Sequence, residues 1–104
     1  MSSSFQRLLA LALLLVVAVG CAANASYRKG ESDELAGQWD DAVIKYMAAL
    51  QGDPGNIKYQ AALLRAKIKA SQAHFEQGKQ FERAGALERA LVEYQEATQL
   101  DSTN

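Results

Sequence analysis

One cysteine, one histidine, one proline and one tryptophan are all that 104 residues hold of those types, and the shortages close off classes of molecule. A lone Cys21 cannot form an intrachain disulfide, so helix packing and not a cystine framework must hold the chain. A lone His74, with no second histidine or nearby cysteine, does not make a metal-ligand pattern. The serines lack a G-x-S-x-G context, and no glycine loop of the phosphate-binding kind occurs. Glu31, Asp33 and Glu34 form an acidic patch, yet nothing in the sequence buries it or raises a pKa for acid–base work. The net charge of −1 gives no strongly basic surface for nucleic acid. No catalytic residue, metal, cofactor or small-molecule substrate is expected, and a chain of this length builds one small domain.

What the sequence does have is an uneven spread of apolar residues. Arg7 precedes LLALALLLVVAV at residues 8–19, an unbroken run of twelve. A charged start followed by such a run is the layout of a secretory signal. Twelve residues span about 18 Å as a helix, short of the ~20 residues a membrane crossing needs, which leaves a short transmembrane anchor as the other reading.

The cysteine follows at once, in Ala18-Val19-Gly20-Cys21. This resembles the bacterial lipobox, with Ala18 standing where that family prefers Leu. The resemblance implies a signal peptide over 1–20, an acylated Cys21 as the new N-terminus, and a tether over 21–25. Ala22 after the cysteine favours the outer membrane of a Gram-negative cell, facing the periplasm. Ala23-Asn24-Ala25 offers a competing A-x-A site, where cleavage before Ser26 would release a soluble periplasmic protein.

Shifted by 48 residues, the chain matches itself. Residues 26–56 and 74–104 agree at ten positions, among them Gly30/Gly78, Glu34/Glu82, Gly37/Gly85, Ala42/Ala90, Tyr46/Tyr94, Ala49/Ala97 and Asn56/Asn104. Tyr27/Phe75, Trp39/Leu87 and Val43/Leu91 are conservative. That is an internal repeat. Each copy reads as helix, tight turn, helix: Gly37 and Gly85 end the first helix, and acids near Asp40 and Glu88 suit the start of the second. Asp53-Pro54-Gly55-Asn56 closes the first copy.

Residues 57–70 contain neither glycine nor proline and should run into the next copy as one helix over about 57–83, roughly 40 Å long. Two apolar faces are predicted on it. Ile57, Ala61, Leu64, Ile68 and Phe75 form one, and Tyr59, Ala62, Leu63, Ala66, Ala70 and Ala73 lie roughly opposite. Such a helix is either sandwiched by both copies or leaves a face for a partner. Lys58, Arg65 and Lys69 share a flank, which reads as a solvated face or as a greeting for an acidic partner or anionic headgroups.

In type and spacing, Gly78, Phe81, Ala90, Tyr94 and Ala97 match the tetratricopeptide pattern, as do Gly30, Ala42, Tyr46, Ala49 and Pro54. The mature chain therefore resembles that family. The resemblance implies an all-α fold of two tetratricopeptide-type repeats, about 23–56 and 71–104, with an extended central helix over about 57–84, in a domain covering 26–104. Asp33 and Ser102 depart from the pattern, and Asp33 predicts fraying between Cys21 and about Glu31. The inward positions implied for contacts hold Tyr27, Glu31, Phe75 and Lys79, which do not make the family's carboxylate clamp. With Tyr59 and Leu63 they are the candidate partner-binding residues.

The order of lipobox, Tyr-Arg-Lys-Gly, Trp-Asp-Asp-Ala-Val, Asp-Pro-Gly-Asn and long helix also looks like the leader region of secretin-type channels. Type II secretion and type IV pilus systems use these proteins. That likeness implies a lipid-anchored scaffold for envelope proteins, with secretin or pilus assembly components as partners, on an N-terminal piece of a longer protein. The alternative is a self-associating, pilotin-like assembly lipoprotein.

Overall fold

The computed structural model describes residues 2–102, so Asn104, the second member of the last matched pair, lies outside the described residues. Among them are four helices and no strand: α1 (Ser2–Leu35), α2 (Trp39–Gly52), α3 (Ile57–Arg83) and α4 (Leu87–Leu100). The glycine-free stretch 57–70 continues without a break into the second copy, as one helix over the range the sequence predicts.

Both turns are built alike. Gly37 at φ +74° and Gly85 at φ +79° take the left-handed conformation that glycine reaches without a Cβ penalty. Around Gly37, its amide donates to Glu34 O and Gln38 N to Asp33 O, the paired bonds that satisfy the orphan carbonyls of a helix end. Gly85 N to Glu82 O and Ala86 N to Phe81 O repeat them 48 residues on. Asn56 caps α3 by accepting from Tyr59 N at 3.1 Å, while its amide donates to Asp53.

α1 packs antiparallel on α2, and α4 on the C-terminal half of α3, while α2 also lies against α3. The core is largely alanine: Ala42, Ala49, Ala62, Ala66 and Ala70 are all at most 1% exposed. Small side chains bring the helix axes close, and the remaining space goes to tyrosine rings. Gly30 faces Tyr46 so closely that a Cβ there would lie 2.5 Å from the ring, and Gly78 faces Tyr94 at the same 2.5 Å. The pairing of glycine with tyrosine is thus a repeated contact as well as a repeated motif.

One expectation needs correction, and one choice left open is settled. Residues 21–31 are helical and continuous with the rest of α1, where a tether and fraying were expected. The reason lies in packing: Ala23, Tyr27 and Gly30 are buried against α2 and α3, which outweighs the unfavourable Asp33. Of the two readings left open for α3, the structure shows the one that leaves a face uncovered. Tyr59, Ala62, Ala66 and Ala70 are buried, whereas Ile57 and Leu64 on the other face are 78% and 62% exposed.

The first half of α1 stands apart from the core. Every described residue before Ala23 is exposed, including the whole apolar run. With an 18-residue stretch of mean hydropathy 2.5, α1 is long and apolar enough to cross a membrane, and a signal sequence near the N-terminus meets the same description.

Candidate functional site

The six residues expected to meet a partner separate into two groups. Tyr27 and Tyr59 are each 6% exposed, and their rings stack 4.8 Å apart at 25°. Tyr27 also meets Tyr46 at 5.6 Å. These tyrosines join α1, α2 and α3 and present nothing to a partner. Leu63 is half-buried against the same cluster. Sequence spacing alone could not assign them to the core, because it does not say which face of a two-sided helix its neighbours cover. Glu31, Phe75 and Lys79 remain accessible, with Phe75 39% exposed and the Lys79 ammonium 5.1 Å above its ring.

Gly30, Ala42, Tyr46, Ala49, Gly78, Ala90 and Ala97 are buried, Phe81 and Tyr94 are half-buried, and Pro54 is in the exposed turn before α3. Cys21 is exposed on α1 with a free thiol, two residues before the first buried side chain.

The basic flank of α3 serves the fold. Arg65 donates to both carboxylate oxygens of Glu34, at 3.0 and 3.2 Å, a bidentate link from α3 to α1. Lys58 sits 4.6 Å above the Tyr27 ring. Beside the Glu34–Arg65 pair the Tyr46 hydroxyl is pushed up to about 12, first by burial and then by the Glu34 charge.

His74 does more than its isolation in the sequence suggests. From α3, its Nδ1 meets Glu93 on α4 at 2.5 Å and its Nε2 meets Asp40 on α2 at 2.8 Å. One ring thus ties both hairpins together, and both of its nitrogens are engaged. Burial pulls its pKa down, but the hydrogen bonds to Glu93 and Asp40 and their charges outweigh burial and raise it. Nothing local signals this cluster, since the partners lie 19 and 34 positions away. Nearby, the buried Ser71 hydroxyl donates to Ala97 O at 2.7 Å, fixing the end of α4 on α3.

The second hairpin lacks the cover of the first. Leu91 is 57% exposed where its counterpart Val43 is 7%. Phe75 and Tyr94 form the same tilted ring pair, at 5.5 Å, with no third ring stacked on it among the described residues. This open side carries the widest gap between what the repeat buries once and what it leaves bare. No protein-family model, curated protein or solved structure matches the chain.

Proposed function

We propose that the protein is a lipid-anchored interaction scaffold of the bacterial envelope, with a tetratricopeptide-type bundle as its mature part. The observation that carries this reading is the position of the boundary on α1. Residues before Cys21 contribute no buried side chain, and burial begins at Ala23. Cleavage before Cys21 would therefore leave the core whole, while cleavage before Ser26 would remove Ala23 from it.

The scaffold character is supported by the repeated hairpins, joined through one shared helix, that expose an apolar side. Partners are envelope proteins, and the likeness to secretin leaders suggests secretin or pilus assembly components. Intact mass measurement of the protein expressed in a Gram-negative host tests the anchor. A mass of residues 21–104 plus acyl chains, lost in Cys21→Ala, is expected. An unmodified mass beginning at Ser26, or an uncleaved chain, would overturn it.

A further inference from the structure

The internal repeat shows what a covered hairpin looks like, and so what is missing from the uncovered one. In the first hairpin, α3 lies over α1 and α2 and contributes three things. Tyr59 stacks on Tyr27, Ala62 and Ala66 (each at most 1% exposed) allow close approach, and Arg65 binds Glu34. Val43, Tyr46 and Tyr27 are all buried in the cluster this completes.

The second hairpin has the same backbone turn, the same glycine–tyrosine contact and the same ring pair, 48 residues on. Phe75 stands for Tyr27, Leu91 for Val43, Tyr94 for Tyr46 and Glu82 for Glu34. Only the cover is absent. Among the described residues Glu82 forms no salt bridge; it accepts the Tyr94 hydroxyl at 2.5 Å instead. In the first hairpin Arg65 takes the carboxylate with two hydrogen bonds, and the Tyr46 hydroxyl lies beside that pair. The second carboxylate thus has a tyrosine hydroxyl as its partner where the first has a guanidinium.

We propose that the side of the second hairpin formed by Phe75, Glu82, Leu91 and Tyr94 docks a helix of a partner protein. That helix carries an aromatic residue, small residues three and seven positions on, and an arginine six positions on. It runs parallel to α3, as α3 runs parallel to α1: Tyr59 pairs with Tyr27 and Arg65 with Glu34, further along both helices. This deepens the scaffold reading and rests on it.

Charge argues against a second copy of this chain as the occupant. In each copy α3 already covers its own first hairpin, and from Cys21 onward α1, α2 and α4 offer no substitute for it. Six positions after Tyr27, Tyr46 and Tyr94 stand Asp33, Gly52 and Leu100, none of which pairs with Glu82. Trp39 is followed by Lys45 at that distance, but Tyr46 then falls where a small residue sets the helix spacing.

A fluorescently labelled peptide with the sequence of residues 57–70 supplies the probe, since it already carries the required pattern. It is titrated with the full chain in detergent micelles and followed by anisotropy, with empty micelles as the baseline. It does not displace α3 in cis, because the tethered copy has the higher effective concentration. Saturable binding is expected, weakened about tenfold or more by Leu91→Glu and by Glu82→Lys. Both sites are exposed, and circular dichroism checks that helix content is unchanged. Arg65→Glu in the peptide should abolish binding to the native chain and restore it to the Glu82→Lys chain.

Absence of saturable binding, binding indifferent to these substitutions, or failure of the charge swap to rescue would overturn the proposal. So would a concentration-dependent dimer, abolished by Leu91→Glu, in a chain that ignores the peptide; the occupant is then a second copy. Any of these results with acylation of Cys21 and envelope crosslinks intact removes this inference alone. An unacylated chain that crosslinks to no envelope protein removes the scaffold reading, whatever the peptide does.

Discussion

At the scale of single residues, the two glycine–tyrosine contacts make a matched pair with unequal surroundings. Alanine at position 30 or 78 gains helix propensity of about 1 kcal/mol over glycine. It also places a Cβ 2.5 Å from a ring carbon of Tyr46 or Tyr94. Tyr46 is fully buried and cannot yield, whereas Tyr94 is half-exposed and can swing outward. Overpacking of a closed site costs about 1–3 kcal/mol. Urea denaturation should therefore show Gly30→Ala losing up to about 2 kcal/mol and Gly78→Ala close to neutral. Equal losses at both sites would mean that the second ring is as confined as the first.

His74 makes a prediction of opposite character, because it depends on solvent and not on volume. Its pKa is raised in the folded protein. A raised histidine stabilises fully below its unfolded pKa of about 6.5 and loses that contribution as pH rises through the higher folded value. Thermal melts between about pH 5.5 and 8.5 should thus show the chain losing stability upward through this window. His74→Gln should flatten that slope while lowering stability most at the acidic end. Asp40→Asn should flatten it partly, since Glu93 still binds the other nitrogen.

At the scale of the element, α3 decides whether the molecule unfolds as one piece. Its first half packs on α1 and α2 and its second half on α4. Loosening its N-terminus should reach both hairpins. Asn56→Ala removes the side-chain cap on Tyr59 N and the link to Asp53, at a cost of about 1 kcal/mol. Fluorescence of Trp39 on α2 and helix content by circular dichroism should move together along the denaturation curve. Separate transitions would mean that the hairpins unfold independently and that the shared helix does not couple them.

The same element shows how far the sequence could be read. The bounds of α3, the two glycine turns and the acid-led start of α2 and α4 are local signals, and the structure bears each out. Which face of α3 is covered is a tertiary fact. Tyr59 and Leu64 belong to opposite apolar faces that look equally suited to burial, yet α1 and α2 close over only one. The continuous helix across residues 21–31 escaped local reasoning for the same reason: propensity flags Asp33, while the burial of Tyr27 depends on Tyr59, 32 positions further on. Arg65 and His74 are illegible in the same way, because their partners come from other helices.

At the scale of the whole molecule, the question is where the exposed apolar half of α1 ends and the bundle begins. α1 carries its exposed apolar half directly into its packed half, with Cys21 at the change. An acylated Cys21 would hold the bundle close to the bilayer on a rigid helix and not on a flexible leash, since Ala23 is already in the core. Several acyl chains at this point anchor firmly, each buried CH₂ contributing about 0.8 kcal/mol.

The two cleavage sites then have different consequences for stability as well as for location. A chain of residues 21–104 retains Ala23, which is 3% exposed and lies against Gly52, where a Cβ would meet its methyl at 2.9 Å. A chain of residues 26–104 loses that contact and more than a turn of α1. Burial of one methyl contributes about 0.8 kcal/mol, and the shortened helix presents new unsatisfied amides nearer Tyr27. Compared by urea denaturation as unacylated proteins, the shorter chain should have the lower midpoint, by about 1–2 kcal/mol in stability. Such a difference would give the cell a physical reason to cut at the cysteine, because only that product keeps its core. Equal midpoints would leave the lipobox without support from the fold, and the choice between the two sites would rest on peptidase recognition alone.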